Sequence, residues 1–506
     1  MPSQKEKGIS KRVPVIVVMG HIDHGKSTLL DYIRKRNTVN KEVGGITQHV
    51  GAYEANYTDK AGIEHRLTFL DTPGHEAFCT IRERGTKTAD IAILVISGEE
   101  GVKPQTLEAL SCIKTSKIPY LIAINKIDRP NVDIERIKGN LAENEIYVEG
   151  YGGDVPSVAV SAVTGKGVPD LLEMLTLMAD IQNLTTDASK KAEGFIIEAH
   201  VDQKCGTTAT LVIKDGTLST GEFIVSGDSF SPVRRIENYD GKTIKTAGAG
   251  TPVIIVGWNK VPVAGAAFDI VDSKKEAESL IASVQRTKKS EKAAPQPPVS
   301  EEENKKVVIP LVIKADAVGS LEAIEREVKK IAVEGVQFKI LLATVGTINE
   351  NDVKTASAGA GSAVLGFNVK IDASAKAFAE RFKIPVMTFD IIYRLTEWLQ
   401  EESEKRRPRV EVEEETGRAK ILKIFSADKD RYVIGGKVES GSLKNGAIFK
   451  LMRRDSEISR GKVRNLQQQK EKVDEVGKDT EFGALVESKL EPVTGDRLET
   501  FLVDIR

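Results

Sequence analysis

Short β-branched runs alternate with amphipathic stretches from Val13 to about Ile181. Val15 to Met19, Leu67 to Leu70, Ile91 to Ile96, Tyr120 to Ile124 and Ser157 to Val160 read as strands. Helical patterns at Ser27 to Lys35, Pro104 to Thr115, Ile134 to Asn144 and Pro169 to Met178 fill the gaps. Alternation of this kind predicts a mostly parallel sheet covered on both faces. Between about Gly194 and Val271 the pattern changes to short alternating strands with Asp215-Gly216 and Asp240-Gly241 turns. That is the signature of a small β-barrel.

Lys274 to Lys289 reads as a helix running into a Pro- and charge-rich segment, 288–306, too poor in apolar residues to fold. Strand and helix alternation resumes from Val307 to Thr388, with strands at Val308 to Ile313, Gln337 to Ala343, Ser362 to Leu365 and Pro385 to Thr388. Ile391 to Arg407 is helical with one heavily charged side, and Pro408 stops it before a strand-rich stretch from Arg409 to Arg506. The expected architecture is multidomain, α/β plus β-barrels. It comprises a polar tail (1–12), an α/β domain (13–182), a β-barrel (194–272), a helix and flexible linker (273–306), a small α/β domain (307–390), a long connecting helix (391–407) and a terminal β-barrel (408–506).

The length of 506 residues and the 40% apolar content are ample for several cores. Lys and Arg total 73 against 74 Asp and Glu, a formal charge of −1, which argues against a simple DNA-coating protein. No apolar run approaches the roughly 18 residues of a membrane span, and Met1 to Ser10 has no signal-peptide core, so a cytosolic, non-membrane protein is expected. Cys79, Cys112 and Cys205 are far apart with no CxxC pair, the pattern of reduced structural thiols.

The segment GHIDHGKST (20–28) follows the first strand and opens the first helix, the context that GxxxxGK[ST] requires. Gly20 and Gly25 permit the tight turn, while the backbone N–H groups of His21, Ile22, Asp23, His24 and the helix start receive phosphate oxygens. Lys26 neutralises β and γ phosphates, and Ser27, followed by Thr28, offers a hydroxyl to Mg²⁺. Asp128 of NKID (125–128) can accept both the N1–H and the exocyclic amine of guanine, a pair that adenine lacks, so the expected substrate is GTP. Asn125 is expected at the other base edge and Lys126 across the ring. Ser161, Ala162 and Val163 follow the next strand, where their N–H groups are expected to close over the guanine carbonyl.

DTPGH (71–75) ends another strand, where Asp71 can reach Mg²⁺ through water and the Gly74 N–H can bind a γ-phosphate oxygen. Thr47, in the Gly-flanked GGITQH (44–49), supplies a second Mg²⁺ ligand, so hydrolysis is expected to release both loops together. His75, next to the γ-phosphate sensor, is the candidate for orienting the attacking water, with a helix-capping histidine as the alternative.

In order and spacing, GHIDHGKST, GGITQHVGAY, DTPGHEAF, NKID and IKADAVGSLEAI (313–324) resemble the bacterial translation initiation factor two family, and the resemblance runs from Val13 to Arg506. It implies a ribosome-dependent GTPase in the order P-loop GTPase domain, β-barrel, α/β domain, long helix and terminal barrel that holds formylmethionyl initiator tRNA. It also implies that both ribosomal subunits are partners, that the factor is monomeric, and that Ile22 and Ile46 gate the switch histidine. An elongation-type GTPase delivering another aminoacyl-tRNA, and a GTP-binding ribosomal scaffold with little turnover, are the alternatives. The linker and the α/β domain from Val307 count against the first, and Thr47, Asp71 and His75 against the second.

Two departures from the family stand out. About twelve residues precede the first strand where the family commonly has a long region, so a short form is expected. In the terminal barrel, family cysteine positions are Gly436 and Phe482, and an Arg-Phe pair is Gln468-Gln469. Either Phe482 fills the volume left at Gly436, or recognition of the formylmethionyl end is altered. A basic stretch holding Lys450, Arg453, Arg454, Arg460, Lys462 and Arg464, with Lys470 beyond it, is the candidate tRNA phosphate contact, in a region of 22 basic and 19 acidic residues (406–506). Tyr393 and Trp398 read as packing residues and Cys79 as a plain helix thiol.

Overall fold

Six consecutive buried residues, Val15–Gly20, form the strand from which the first domain is built, and a parallel strand covered on both faces needs that continuous apolar run. The computed structural model describes residues 9–35, 47, 50–202, 204–291, 307–333, 335–408, 411–469 and 471–505. Ile46, Lys470 and most of the expected linker lie outside these residues. Two compact units divide at Arg406 and Arg407.

In the first unit a six-stranded sheet runs in the order Gly51–Thr58, Glu64–Asp71, Val15–Gly20, Ile91–Ser97, Tyr120–Asn125, Ser157–Ala159. All neighbours are parallel except the edge strand Gly51–Thr58, which pairs antiparallel with Glu64–Asp71. That edge strand, absent from the sequence reading, alternates exposed polar and buried residues with Tyr53 and Ala55 inward. The helix Cys79–Thr88, expected at Cys79, was not legible in its extent, because its charges and Gly85 mask a buried face. Gly85 allows that close packing: a Cβ there would lie 3.1 Å from both Thr72 Cγ2 and Val17 Cγ2.

An eight-stranded antiparallel sheet over 193–271 encloses its own apolar cluster, and the helix Lys274–Glu291 follows. A four-stranded parallel sheet then runs Val336–Val345, Val307–Ala315, Ala363–Phe367, Val386–Phe389. The helix Ile392–Lys405 buries Ile392, Leu395 and Leu399 in this domain's core. That same core takes in Ala77, Phe78 and Ile81, which directly follow the DTPGH motif.

Asp90 ties the first sheet to the second. Its carboxylate accepts two hydrogen bonds from Arg12 at 2.6 Å, one from Lys214 at 2.6 Å and one from the Val15 N–H at 2.8 Å. Burial works against the charge, but Arg12 and Lys214 hold this carboxyl below its ordinary range. Asp90→Asn leaves two partly buried cations short of a counter-ion and is expected to destabilise the first unit by about 2–4 kcal/mol in urea denaturation at pH 7. Because the folded-state carboxyl is depressed, its contribution is present above the unfolded value and lost as pH falls through the folded one. The gap between variant and parent should therefore narrow in acid.

In the second unit six antiparallel strands close on themselves in the order Glu411–Asp428, Arg497–Ile505, Ile448–Arg453, Ser456–Gln468, Glu481–Ser488 and Arg431–Lys444, which returns to the first. Closure removes the free sheet edges, and the alternating inward residues fill the centre.

Candidate nucleotide site

The phosphate loop is shaped by positions that tolerate only glycine. Gly20 has φ +143°, and a Cβ there would lie 2.3 Å from the Val95 carbonyl oxygen. Gly25 has φ +83° and would meet Asn125 Nδ2 at 2.3 Å. The helix Lys26–Arg34 starts without a side-chain cap, so its first N–H groups stay available to an anion. Lys26 is buried and donates to the His21 carbonyl at 2.6 Å. Burial, opposed by Asp71, brings its ammonium down to about 8.

Ser27 Oγ and Thr47 Oγ1 lie 2.6 Å apart, so two hydroxyls of the kind Mg²⁺ accepts converge from separate segments, with Asp71 buried at its strand end. Gly74 is pressed against the loop, where a Cβ would lie 2.6 Å from Lys26 Nζ and 3.1 Å from the Ile22 nitrogen. Ile22, Asp23, Gly25, Lys26, Ser27, Thr28, Thr47, Gly74, His75, Asn125, Lys126, Asp128, Ala162 and Val163 line one cavity of about 310 Å³. Gly20, His21, His24, Asp71 and Ser161 do not line it.

At the base end, Asp128 is exposed and accepts from Ser161 Oγ at 2.6 Å, a bond that lowers its carboxyl and keeps it ionised. Asn125 donates from Nδ2 to the His24 carbonyl at 2.9 Å and accepts the Ala162 N–H at 3.0 Å. It thus braces the phosphate loop against the following loop. The Ser161 N–H donates to the Lys166 carbonyl at 2.9 Å within its own loop, while the Ala162 N–H is taken by Asn125. Val163, 73% exposed, stands at the pocket edge.

His75 caps the short turn Glu76–Phe78, its Nδ1 accepting the Ala77 N–H at 2.9 Å. Burial lowers its imidazole below the ordinary histidine value. Its ring packs against Tyr393, at 4.3 Å between centroids, and edge-on to Phe78 at 6.1 Å. Tyr393 is therefore a packing residue whose partner is the candidate catalytic histidine, while Trp398 packs near Phe389. Sequence reasoning missed Arg82, which is fully buried, donates to the Pro73 and His75 carbonyls at 3.2 and 2.6 Å, and pairs with Glu108 at 2.8 Å. Arg82 is one of four charged residues in its helix, so nothing in the sequence set it apart. Lys330 reaches Glu76 at 2.6 Å from the neighbouring domain.

In the terminal barrel Gly436 and Phe482 are directly paired across strands. Phe482 is 5% exposed, and its ring would meet a Cβ at Gly436 at 2.9 Å, so it fills that space within the core. The Lys420 carbonyl oxygen would be only 2.3 Å from the same Cβ. Gly436→Ala is expected to cost about 1–3 kcal/mol of barrel stability, read as faster amide hydrogen exchange across its strands. Much of the basic stretch is internally paired: Arg453 with Asp496 at 2.8 Å, Arg460 with Glu413 and Glu457 at 2.7 Å, Arg464 with Glu487 at 2.6 Å, and Lys450 with Glu413. Arg454 is exposed at the turn between its two strands, with φ 49°.

Three family models match this chain: the elongation factor Tu GTP-binding domain over residues 11–180, elongation factor G domain 2 over 191–271 and translation-initiation factor 2 over 283–400. Translation initiation factor IF-2 of Aquifex aeolicus is 38% identical over 97% of this chain and 61% of its own length. The chain thus spans about three fifths of that relative. The IF-2 of Mycoplasmopsis pulmonis is 36% identical over 98% of this chain and 81% of its own. Among solved structures, GDP-bound aIF5B from Aeropyrum pernix is similar at 28% identity, covering 97% of this chain and 92% of that one, with a TM-score of 0.48. Similarity of this extent, end to end along the chain and over four fifths of a relative, places it by descent: the chain belongs to the translation initiation factor IF-2 family.

Proposed function

We propose that this chain is a translation initiation GTPase that hydrolyses GTP on the ribosome, binds initiator tRNA through its terminal barrel and promotes joining of the two ribosomal subunits. The observation that carries the reading is the single cavity in which the phosphate loop, the Ser27 and Thr47 hydroxyls, Asp128 and His75 converge. Lys26 exchanges the His21 carbonyl for phosphate oxygens, and the first-turn N–H groups receive the rest. Ser27 and Thr47 would hold Mg²⁺, with Asp71 behind them, and the ion would supply the charge that neutralises the β and γ phosphates. Asp128 selects guanine through two N–H donors.

The resting contacts of His75 favour dependence on an outside trigger. Its Nδ1 accepts the Ala77 N–H and its ring packs on Tyr393 and Phe78, contacts that any turn of the ring toward the γ-phosphate breaks. The DTPGH strand end is also mechanically joined to the second α/β domain, because Ala77, Phe78 and Ile81 sit in that domain's core. Loss of the γ-phosphate contact at Gly74 therefore moves packed side chains and loosens the factor. An elongation-type factor would carry a second barrel directly after the first; here a helix and a parallel sheet follow.

The test is binding of the chain, with a non-hydrolysable GTP analogue, to formylmethionyl initiator tRNA, unformylated initiator tRNA and an elongator aminoacyl-tRNA at two salt concentrations. Preference for the initiator species is expected. Preference for the elongator species would transfer the chain to the elongation-type reading.

A further inference from the structure

Two imidazoles of the phosphate loop take no part in lining the nucleotide cavity. His21 and His24 approach edge to face with ring centroids 4.9 Å apart, and Glu100, on the turn after the strand Ile91–Ser97, comes alongside. One ligand atom from each of the three lies within 4.8 Å of the other two. His24 is completely buried.

The hydrogen bonding of the two rings leaves nitrogen lone pairs for a ligand. His24 Nδ1 lies 3.4 Å from the Val95 carbonyl oxygen, which fixes the tautomer with the proton there. Its Nε2 is buried with no partner among the described residues, and so is His21 Nδ1. Gln105, which accepts the Ile22 N–H at 3.2 Å, lies beside His21 and opposes the effect of burial on its imidazole. His24 thus has one nitrogen held by an acceptor and the other left with an unused lone pair, the arrangement by which outer partners orient metal-bound histidines. Burial lowers both rings, His24 to about 4, so both are neutral near pH 7.

We propose that His21, His24 and Glu100 bind a divalent transition-metal cation of the zinc class, at a site separate from the Mg²⁺ hydroxyls Ser27 and Thr47. Two imidazoles and a carboxylate suit Zn²⁺ or Co²⁺, whereas Mg²⁺ takes oxygen ligands. Bond lengths of about 2.0–2.2 Å place the ligand atoms of a tetrahedral ion roughly 3.3 Å apart. The three groups close by about 1.5 Å or less, with Glu100 on its exposed turn moving to the fixed His24. The bound ion ties that turn to the phosphate loop at His21, whose carbonyl holds Lys26 in the resting site.

The test uses the full chain with GDP and excess Mg²⁺, in a Cys205→Ser background that removes the exposed thiol. Cobalt(II) is titrated and followed by its visible absorption, then competed with Zn²⁺. One equivalent is expected to bind, to resist Mg²⁺ and to be displaced by Zn²⁺. His21→Asn and Glu100→Gln should each weaken it about tenfold or more. Glu100→Gln is a surface change outside the nucleotide site, so it decides the matter even where His21→Asn disturbs the loop. Absence of a cobalt spectrum up to millimolar concentration, or an unchanged affinity in Glu100→Gln, overturns the site.

Discussion

His75→Ala is expected to leave GTP affinity within about twofold of the parent while ribosome-stimulated hydrolysis falls about 10²- to 10⁴-fold, the range of a positioned acid, base or water-orienting group. Affinity should survive because the phosphates are held by the loop, Lys26 and the hydroxyl pair, none of which depends on the imidazole. His75 also caps the turn at Ala77, and loss of a cap alone costs on the order of 1 kcal/mol. His75→Asn separates the two roles, since asparagine is a good cap but cannot replace imidazole in directing water. Equal loss in both variants assigns the histidine to hydrolysis; near-normal turnover in His75→Asn would assign it to capping.

Asp128→Asn is expected to weaken GTP by roughly 10²- to 10⁴-fold and to make xanthosine triphosphate the better ligand. Two charge-assisted hydrogen bonds of about 1.5–3 kcal/mol each are lost, and the guanine donors face an amide that offers one acceptor. The loop itself should stay in place, because the asparagine carbonyl can still accept from Ser161, which donates to Asp128 at 2.6 Å in the parent. Competition of the two triphosphates for the same chain measures the ratio, and an unchanged ratio would remove Asp128 from the base pocket.

The nucleotide site was legible where chemistry depends on short spacing. Gly20, Gly25, Lys26 and Ser27 act within one turn, and strand and helix flank them as the motif demands. The central strands and the helices with a clear apolar period were legible, while Cys79–Thr88 and Gly51–Thr58 were not, the latter because an alternating edge strand rich in small and polar residues resembles a loop. What sequence could not give were partners far apart in the chain. Asn125 reaching the loop at His24, Arg82 holding the carbonyl of His75, and Tyr393 lying on His75 from more than 300 residues away are all consequences of packing. The basic stretch of the terminal barrel shows the same limit in reverse. Its charges were visible, but their pairing with Glu413, Glu457, Glu487 and Asp496 follows from strand register, which leaves fewer cations for an RNA phosphate.

The account rests on a histidine held out of position until something outside the chain turns it. The most direct measurement is the rate of GTP hydrolysis by the unmodified chain, alone and with both ribosomal subunits. The account predicts slow turnover alone and a rise on the order of 10²-fold or more with ribosomes, the scale of activation in trans seen for other GTPases. The same rate in both conditions would contradict it.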